Sequence, residues 1–553
     1  MPERLTGIGV SPGLAAGPLL RVAPAPRLPE PAAVADVEAE LARADAALAA
    51  VVAELRRRAA AARRPEATEI LRAQAMIAED PVLHDAVTEA VRSGRDAPHA
   101  IAEAFAEHRR AFLAAGGYLA ERVTDLDDIR DRAVAASLGR PMPGVPTPGH
   151  PYVLAARDLA PADTADLDPE LVLALVTEVG GPTSHTAILA RSLGLPAVVS
   201  CAGTLSVPEG TMVRVDGASG EVLTGADEAV VAGTRAAAAA RRRRAGASRG
   251  PGRTADGHAV RLLVNIGSAA QLRDDEGAEG VGLFRTELLF LDRSTAPGID
   301  EQSRAYAAVF AAMDGRPVVI RTLDAGADKP LPFLEQSGEP NPALGVRGLR
   351  IARRRPEVLR AQLHAIELAA RRTGADVRVM APMVATVAEA REFAAAVRAA
   401  GLDSAGVMVE VPAAALRAPR LLDEVDFLSV GTNDLSQYAF AADRQCGDLA
   451  ELLDPWQPAL LELVAGCAAA GRTAGKPVGV CGEAAADPLL AVVLAGLGVT
   501  SLSMSPRSLP PVRAALAAHT LADCERLATL ALAAADAGQA RSTVRREARP
   551  VPD

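Results

Sequence analysis

One stretch carries the first hint of chemistry: Val179-Gly180-Gly181-Pro182-Thr183-Ser184-His185-Thr186-Ala187-Ile188-Leu189-Ala190-Arg191. The apolar run Leu171 to Val176 ahead of it predicts a buried strand, and Ala187 to Leu193 has helix-forming composition. His185 then stands where a glycine turn opens into a helix. Free backbone N–H groups and the positive helix end at such a place favour an anion carried on the imidazole. A structural histidine at a helix cap is the alternative for a lone His. The order strand, Gly-Gly, Thr-Ser-His, helix favours one that carries phosphate.

A second set of reactive residue types comes later: Arg285, Arg321, Arg347 and Arg444, the acids Glu410 and Asp434, the amide Asn433, and Cys481. Guanidiniums gathered round one pocket suit a polyanion bearing phosphate and carboxylate, because the planar fork binds such oxygens bidentately. Two carboxylates on neighbouring strands, with phosphate adding oxygens, suit Mg²⁺ rather than zinc. Each of these charges taken singly is more often half of a structural ion pair, and the set together points to a site. A single thiol is by default a buried, inert side chain. At a strand end beside anionic ligands, Cys481 could instead stay protonated and give its proton to an enolate carbon. Nothing marks Cys446 as reactive.

The elements that must position these groups follow from pattern. From Arg253 onward, apolar runs alternate with helical stretches: Val260 to Ile266, Val281 to Phe284, Val318 to Ile320, Val377 to Met383, Val407 to Val409, Phe427 to Val430, Val478 to Val480 and Ser501 to Met504. Eight strands alternating with helices predict a (β/α)₈ barrel, in which strand C-terminal ends converge on one mouth. An open doubly wound sheet would not bring all eight round one pocket. Ahead of this, Val34, Val37, Leu41, Ala44, Leu48, Val51 and Leu55 are spaced three and four apart, the seam of a long helix. More helical sequence follows at Thr68 to Ile77, Pro81 to Val91, Pro98 to Ala115 and Leu119 to Leu138.

The fold class expected is therefore α/β multidomain: a C-terminal barrel, and an N-terminal α/β domain around His185 with an all-helical unit inserted into it. The boundaries read as 1–30 for the first strands of the His185 domain, 31–140 for the helical insert and 141–225 for the rest of that domain. A helical linker at 226–250, a barrel at 251–540 and a tail at 541–553 complete the chain. Prolines 141, 143, 146, 148 and 151 mark one of these borders. Arg241 to Arg244 read as a solvated face of the linker helix.

Composition narrows the function. The chain has 553 residues, 49% hydrophobic and 23% charged, and a net charge of -10, which describes a globular protein and argues against a nucleic-acid partner. Five scattered cysteines without metal spacing fit a reducing compartment. The longest apolar stretch, Leu489 to Met504, is broken by Gly496 and Gly498 and is too short to span a bilayer, so membrane insertion is not expected and a cytoplasmic location is.

Seven stretches in order resemble Enzyme I of the bacterial phosphoenolpyruvate-dependent sugar phosphotransferase system, over essentially residues 5–520. They are the His185 segment, Gly282-Leu-Phe-Arg285-Thr-Glu-Leu-Leu-Phe, Ile320-Arg321-Thr-Leu-Asp324, Asn341-Pro-Ala-Leu-Gly-Val-Arg347, Val407-Met-Val-Glu410, Gly431-Thr-Asn433-Asp434-Leu-Ser-Gln-Tyr and Val480-Cys481-Gly-Glu. The resemblance implies that phosphoenolpyruvate and Mg²⁺ bind at the barrel mouth, that His185 takes the phosphoryl group and pyruvate leaves. The histidine would then swing to the helical insert, where the carrier protein HPr accepts the group. It further implies that Glu410 and Asp434 hold Mg²⁺, that Arg285, Arg321, Asn433, Asp434 and Arg444 hold substrate with Arg347 in support, and that Cys481 is the proton donor. Family members are homodimers through the barrel.

This chain departs from the family at Ala327, where a second glycine is usual, and at Gln74, where many relatives carry histidine. Dikinases and synthases that share the swivelling histidine add a large nucleotide-binding domain ahead of it. Only 184 residues precede His185, largely helical in pattern, so ATP use is not expected.

Overall fold

The computed structural model describes residues 3–549 except 12, 24–25, 62–64, 116–122, 147, 160–166, 169, 182–183, 248, 273–276, 291–292, 294, 327–330, 332, 335–338, 340 and 445–446. The position of the family departure at Ala327 lies outside them. The chain divides into two compact units, Met1–Ala239 and Ala240–Asp553.

In the first unit an eight-stranded sheet is assembled from distant pieces of chain. Its strands are β1 (Arg4–Thr6), β2 (Ile8–Ser11), β3 (Leu14–Arg21), β4 (Tyr152–Ala156), β5 (Val172–Thr177), β6 (Ala197–Val199), β7 (Met212–Asp216) and β8 (Glu221–Thr224), in the order β1-β8-β7-β3-β4-β5-β6-β2. β3 to β6 run parallel, and the two N-terminal strands β1 and β2 close the edges in antiparallel pairs. Between β3 and β4 lie helices Val37–Ala61, Pro65–Ala78, Pro81–Arg92, Ala97–Ala115 and Val123–Ser137. Their common core contains Leu48, Val51, Leu55, Leu71, Leu83, Ile101, Phe105 and Ile129. The seam read from sequence holds from Leu41 onward. Val34 precedes the first helix and Val37, at its first position, is exposed, and neither belongs to the helical core. Gln74 is fully buried and its side-chain N–H donates to Asp125 at 2.9 Å.

In the second unit eight parallel strands close on themselves: β9 (Arg261–Ile266), β10 (Val281–Arg285), β11 (Val318–Arg321), β12 (Val377–Ala381), β13 (Ala405–Val409), β14 (Phe427–Val430), β15 (Val478–Val480) and β16 (Ser501–Met504), with β16 pairing back onto β9. Strands covered on both faces read as nearly unbroken apolar runs, which is why they were legible. Leu283, Val319, Met380, Met408, Phe427 and Cys481 fill the barrel interior as one cluster. Room for the Phe427 ring exists only because position 406 is glycine; a Cβ there would sit 2.2 Å from the ring. The outward-facing residues, among them Phe284, Val318 and Ile320, pack with Tyr306, Phe310, Leu363 and Ile366 from the surrounding helices.

Several ends move from the pattern reading, two of them for a plain reason. β12 stops at Ala381 rather than Met383, because Pro382 has no N–H to give the ladder and Met383 turns to φ 57°. The barrel unit also runs past 540: helix Ala537–Glu547 buries Val544 in the same core, so the segment read as a tail is mostly structure. No helix among the described residues is long and apolar enough to cross a membrane.

Candidate active site

Six of the eight barrel residues singled out by their chemistry lie at or within a few residues of a strand's C-terminal end. Arg285 ends β10 and Arg321 ends β11. Glu410 follows β13, Cys481 follows β15, and Asn433 and Asp434 open the helix Thr432–Ala439 after β14. Arg347 lies in the loop segment ahead of helix Leu349–Arg354, and Arg444 beyond the Thr432–Ala439 helix.

Arg321 is the most heavily engaged cation. Its Nη2 lies 2.8 Å from Glu287 Oε1 and 3.3 Å from Asp324 Oδ2, and its Nη1 lies 3.5 Å from Glu410 Oε1. Burial acts to lower its pKa, but Glu287, Asp324 and Glu410 together outweigh it and push the pKa up. Arg347 is fully buried; its Nη2 reaches Asp324 Oδ2 at 3.2 Å, while Nη1 faces Asp434 Oδ1 at 3.5 Å and Tyr438 Oη at 3.2 Å. Arg444 Nη1 approaches the same Asp434 oxygen at 3.4 Å. Arg285 differs in keeping part of its surface open to solvent although protein crowds round its guanidinium. Surrounding protein that strips water from its guanidinium, and after it the like charge of Arg321, lower its pKa.

The acids are correspondingly crowded. Glu410 is almost completely buried, with one oxygen accepting the Met383 backbone N–H at 2.8 Å. Its pKa is driven up by burial and then by the charges of Asp324 and Asp434, despite Arg321. Asp434 Oδ1 is buried and accepts no hydrogen bond, although two guanidiniums stand within 3.5 Å. This is a carboxylate pair short of positive charge, with oxygen donors suited to a hard divalent cation. No group of three or more His, Cys, Asp or Glu gathers as a metal cage among the described residues, so such an ion would complete its shell from ligand and water.

Cys481 is buried at the top of the barrel interior, its Sγ 3.6 Å from the Val430 carbonyl. Burial raises the thiol's pKa to about 11, so it holds its proton at neutral pH. The next residue has to be glycine: a Cβ on Gly482 would meet the Thr432 backbone nitrogen at 2.6 Å. That close approach sets the thiol beside the helix that carries Asp434, and Glu483 N–H donates to Asn433 Oδ1 at 3.0 Å across the same junction.

Pattern reading sets Asn265, Glu287 and Asp324 at strand ends without giving them a role, and it passes over Tyr438. Glu287 and Asp324 hold Arg321; Tyr438 holds Arg347. Asn265 donates to the Cys481 carbonyl at 2.9 Å and to the Ser503 carbonyl at 3.2 Å, tying the thiol's backbone across the barrel seam. The available signal was position: Glu287 lies just past the end of β10, and Asn265 is a polar residue within the apolar run of β9.

His185 belongs to the first unit, where it is the first residue of helix His185–Leu193. The imidazole itself lies outside the described side chains. The turn that delivers it is built by Gly180 at φ 107°, whose carbonyl accepts the Ser200 hydroxyl at 2.6 Å. Ser184 Oγ caps the helix by accepting the Ala187 N–H at 3.3 Å, and the Thr186 hydroxyl donates to Asp158 at 3.2 Å.

Comparison with known proteins agrees with this layout. Residues 241–521 match the family model described as the PEP-binding domain of PEP-utilising enzymes, residues 148–220 the mobile domain and residues 6–122 the N-terminal domain. The chain is 55% identical over 552 residues to the phosphoenolpyruvate-protein phosphotransferase of Streptomyces coelicolor, covering 98% of each. It is 43% identical to the phosphoenolpyruvate-protein phosphotransferase of Haloferax volcanii, covering 97% of this chain and 98% of that one. A solution structure of an Enzyme I protein is 32% identical over 43% of this chain and 99% of that one, with a TM-score of 0.39.

Proposed function

The chain belongs to the phosphoenolpyruvate-protein phosphotransferase family, and from that premise we propose that it moves the phosphoryl group of phosphoenolpyruvate onto His185, releases pyruvate, and passes the group to a histidine of the carrier protein HPr. The observation that carries this reading is the barrel mouth, where Arg285 and Arg321 end adjacent paired strands above buried acids and a protonated thiol.

In the first half-reaction the bond from phosphorus to the enol oxygen breaks as a nitrogen–phosphorus bond to the His185 imidazole forms. The electron pair left behind makes the enolate of pyruvate, and the Cys481 thiol supplies the proton to its methylene carbon before recovering one from solvent. Arg285, exposed and less compensated, meets the incoming anion. Arg321 serves as a fixed, directed donor whose own charge is already offset by three carboxylates. Asn433 and Arg444 complete the substrate's surroundings. Glu410 and Asp434 would hold Mg²⁺; the unbonded Asp434 oxygen and the raised Glu410 pKa support that choice. When bound, the ion neutralises phosphoryl oxygens during transfer.

The helices between Val37 and Ser137 serve as the HPr dock in this reading, which the cleft lined by Arg56, Arg72, Ala75, Met76 and Glu79 supports, with Met76 67% exposed. The barrel is the dimerisation unit and the cytoplasm the working compartment. The test is incubation with phosphoenolpyruvate labelled in its phosphoryl group, Mg²⁺ and HPr. Acid-labile label on this protein and then on HPr is the expected result; label on neither protein overturns the proposal.

A further inference from the structure

Behind the arginine pair runs a chain of buried polar side chains that no strand-end pattern singles out. Helix Pro356–Thr373 otherwise buries apolar residues, Leu363 and Ile366 among them, yet places Gln362 on the same face at 1% exposure. Helix Ile299–Ala312 does likewise with Gln302 at 3% and Tyr306 at 0%. A glutamine amide buried without partners would cost several kcal/mol on the order of the water-to-hydrocarbon transfer of an amide. These are bonded.

Gln362 Oε1 accepts the Leu323 backbone N–H at 2.9 Å. Its Nε2 donates to Thr286 Oγ1 at 3.1 Å and to Tyr306 Oη at 3.2 Å. Each hydroxyl then passes its own proton onward: Thr286 to the Arg321 carbonyl at 2.9 Å, Tyr306 to Gln302 Oε1 at 3.1 Å. Gln302 in turn donates to the Pro297 carbonyl at 2.9 Å. The direction is fixed throughout, because the Leu323 N–H can only be met by the oxygen of the Gln362 amide.

One branch ends at Pro297, and the other two reach the loops that carry the guanidiniums. Thr286 follows Arg285 directly, and the Tyr306 ring stands edge-on to Phe284, the residue before Arg285, with centroids 5.8 Å apart. Leu323 lies between Arg321 and Asp324. Gln362 thus ties the exit of β10 to the exit of β11 from behind, outside the substrate pocket. We propose that Gln362 is a positioning residue for phosphoenolpyruvate binding, setting the spacing of Arg285 and Arg321 through Thr286 and Leu323. The inference rests on the proposed function, since it takes these arginines as the substrate's partners.

The test compares the wild type with Gln362→Met, which keeps the volume and removes all three hydrogen bonds, and with Gln362→Glu. A carboxylate there would draw both hydroxyl protons and pull Thr286 away from the Arg321 carbonyl; a protonated carboxyl can still accept from Leu323 and donate to Thr286. Steady-state pyruvate release is measured with Mg²⁺ and excess HPr as the phosphoryl acceptor, at a temperature where circular dichroism shows each variant folded. Expected for Gln362→Met is a KM for phosphoenolpyruvate raised about tenfold with kcat within about twofold, the mark of lost binding shared by ground and transition states. Expected for Gln362→Glu is a ratio of its KM to that of the wild type, measured at the same pH, that falls toward one as pH falls. Unchanged KM in both folded variants, with only the melting temperature lowered, would make the chain purely structural and end the proposal. A wild type that releases no pyruvate would instead sink the proposed function, and this inference with it.

Discussion

Arg321 Nη2 lies 2.8 Å from Glu287 Oε1, and that same oxygen accepts the Asp324 backbone N–H at 3.1 Å. One carboxylate thus aims a guanidinium and anchors the loop that follows it. Glu287→Gln keeps an oxygen for Asp324 but loses the charge that orients Arg321, leaving Asp324 and Glu410 to pull the cation sideways. Its kcat/KM for phosphoenolpyruvate should fall about tenfold to a hundredfold, the scale of a misplaced binding group. Steady-state pyruvate release checks this, and a value within twofold of wild type would dismiss Glu287 as an aiming residue.

Arg347 is fully buried and shared by Asp324, Asp434 and Tyr438. A lysine has one charged nitrogen and cannot serve acids on two sides, so Arg347→Lys leaves one buried carboxylate undercompensated. The barrel should lose about 3–5 kcal/mol, the range for breaking a buried pair from one side. Urea denaturation followed by the single Trp456, itself fully buried in the barrel unit, reads this directly. A loss under about 1 kcal/mol would mean the acids find other partners.

The barrel was readable because its strands are apolar on both faces and end in residues that an interior would not tolerate. The same logic exposed Arg285, Arg321, Glu410 and Cys481. Pairings were not readable. Nothing local says that Arg347 is sealed between two acids while Arg285 stays open, since the difference arises only when separate loops meet above the barrel. Gln362 was hidden for a related reason: on a helix face whose period marks it as buried, a glutamine looks like an exception until its partners from two other segments are in place. The first helix shows the converse, where a regular seam runs back to Val37 and Val34, ahead of the core that begins at Leu41.

Cys481 keeps its proton because burial raises the thiol's pKa to about 11, from a usual value of 9.0. The donor form therefore persists as pH rises through the range in which an ordinary thiol ionises. Between about pH 9 and 11 the folded state holds a proton that the unfolded chain releases, so this group's contribution to stability is present below that window and is lost as pH rises through it, by at most about 1.4 kcal/mol per pH unit. Cys481→Ala should lack that component, which denaturation of both proteins at pH 8 and pH 10.5 will show. It should also slow pyruvate formation at least about a hundredfold, the usual scale for a lost general acid. Near-normal turnover in the variant would remove the thiol from that role.

His185→Ala isolates the acceptor from the turn that presents it. The helix start depends on Ser184 Oγ at the Ala187 N–H and on Thr186 bonded to Asp158, neither of which uses the imidazole. Alanine is the best helix former, so the first unit should keep its fold and its far-ultraviolet dichroism. The barrel's residues are untouched, and phosphoenolpyruvate should still bind there with near wild-type affinity, measurable by calorimetry. Acid-labile label from phosphoenolpyruvate should vanish from the protein and from HPr alike, a loss of at least about a thousandfold for removal of the nucleophile itself. Label retained on the folded variant would move the phosphoryl acceptor to another side chain, and mapping that label would identify it.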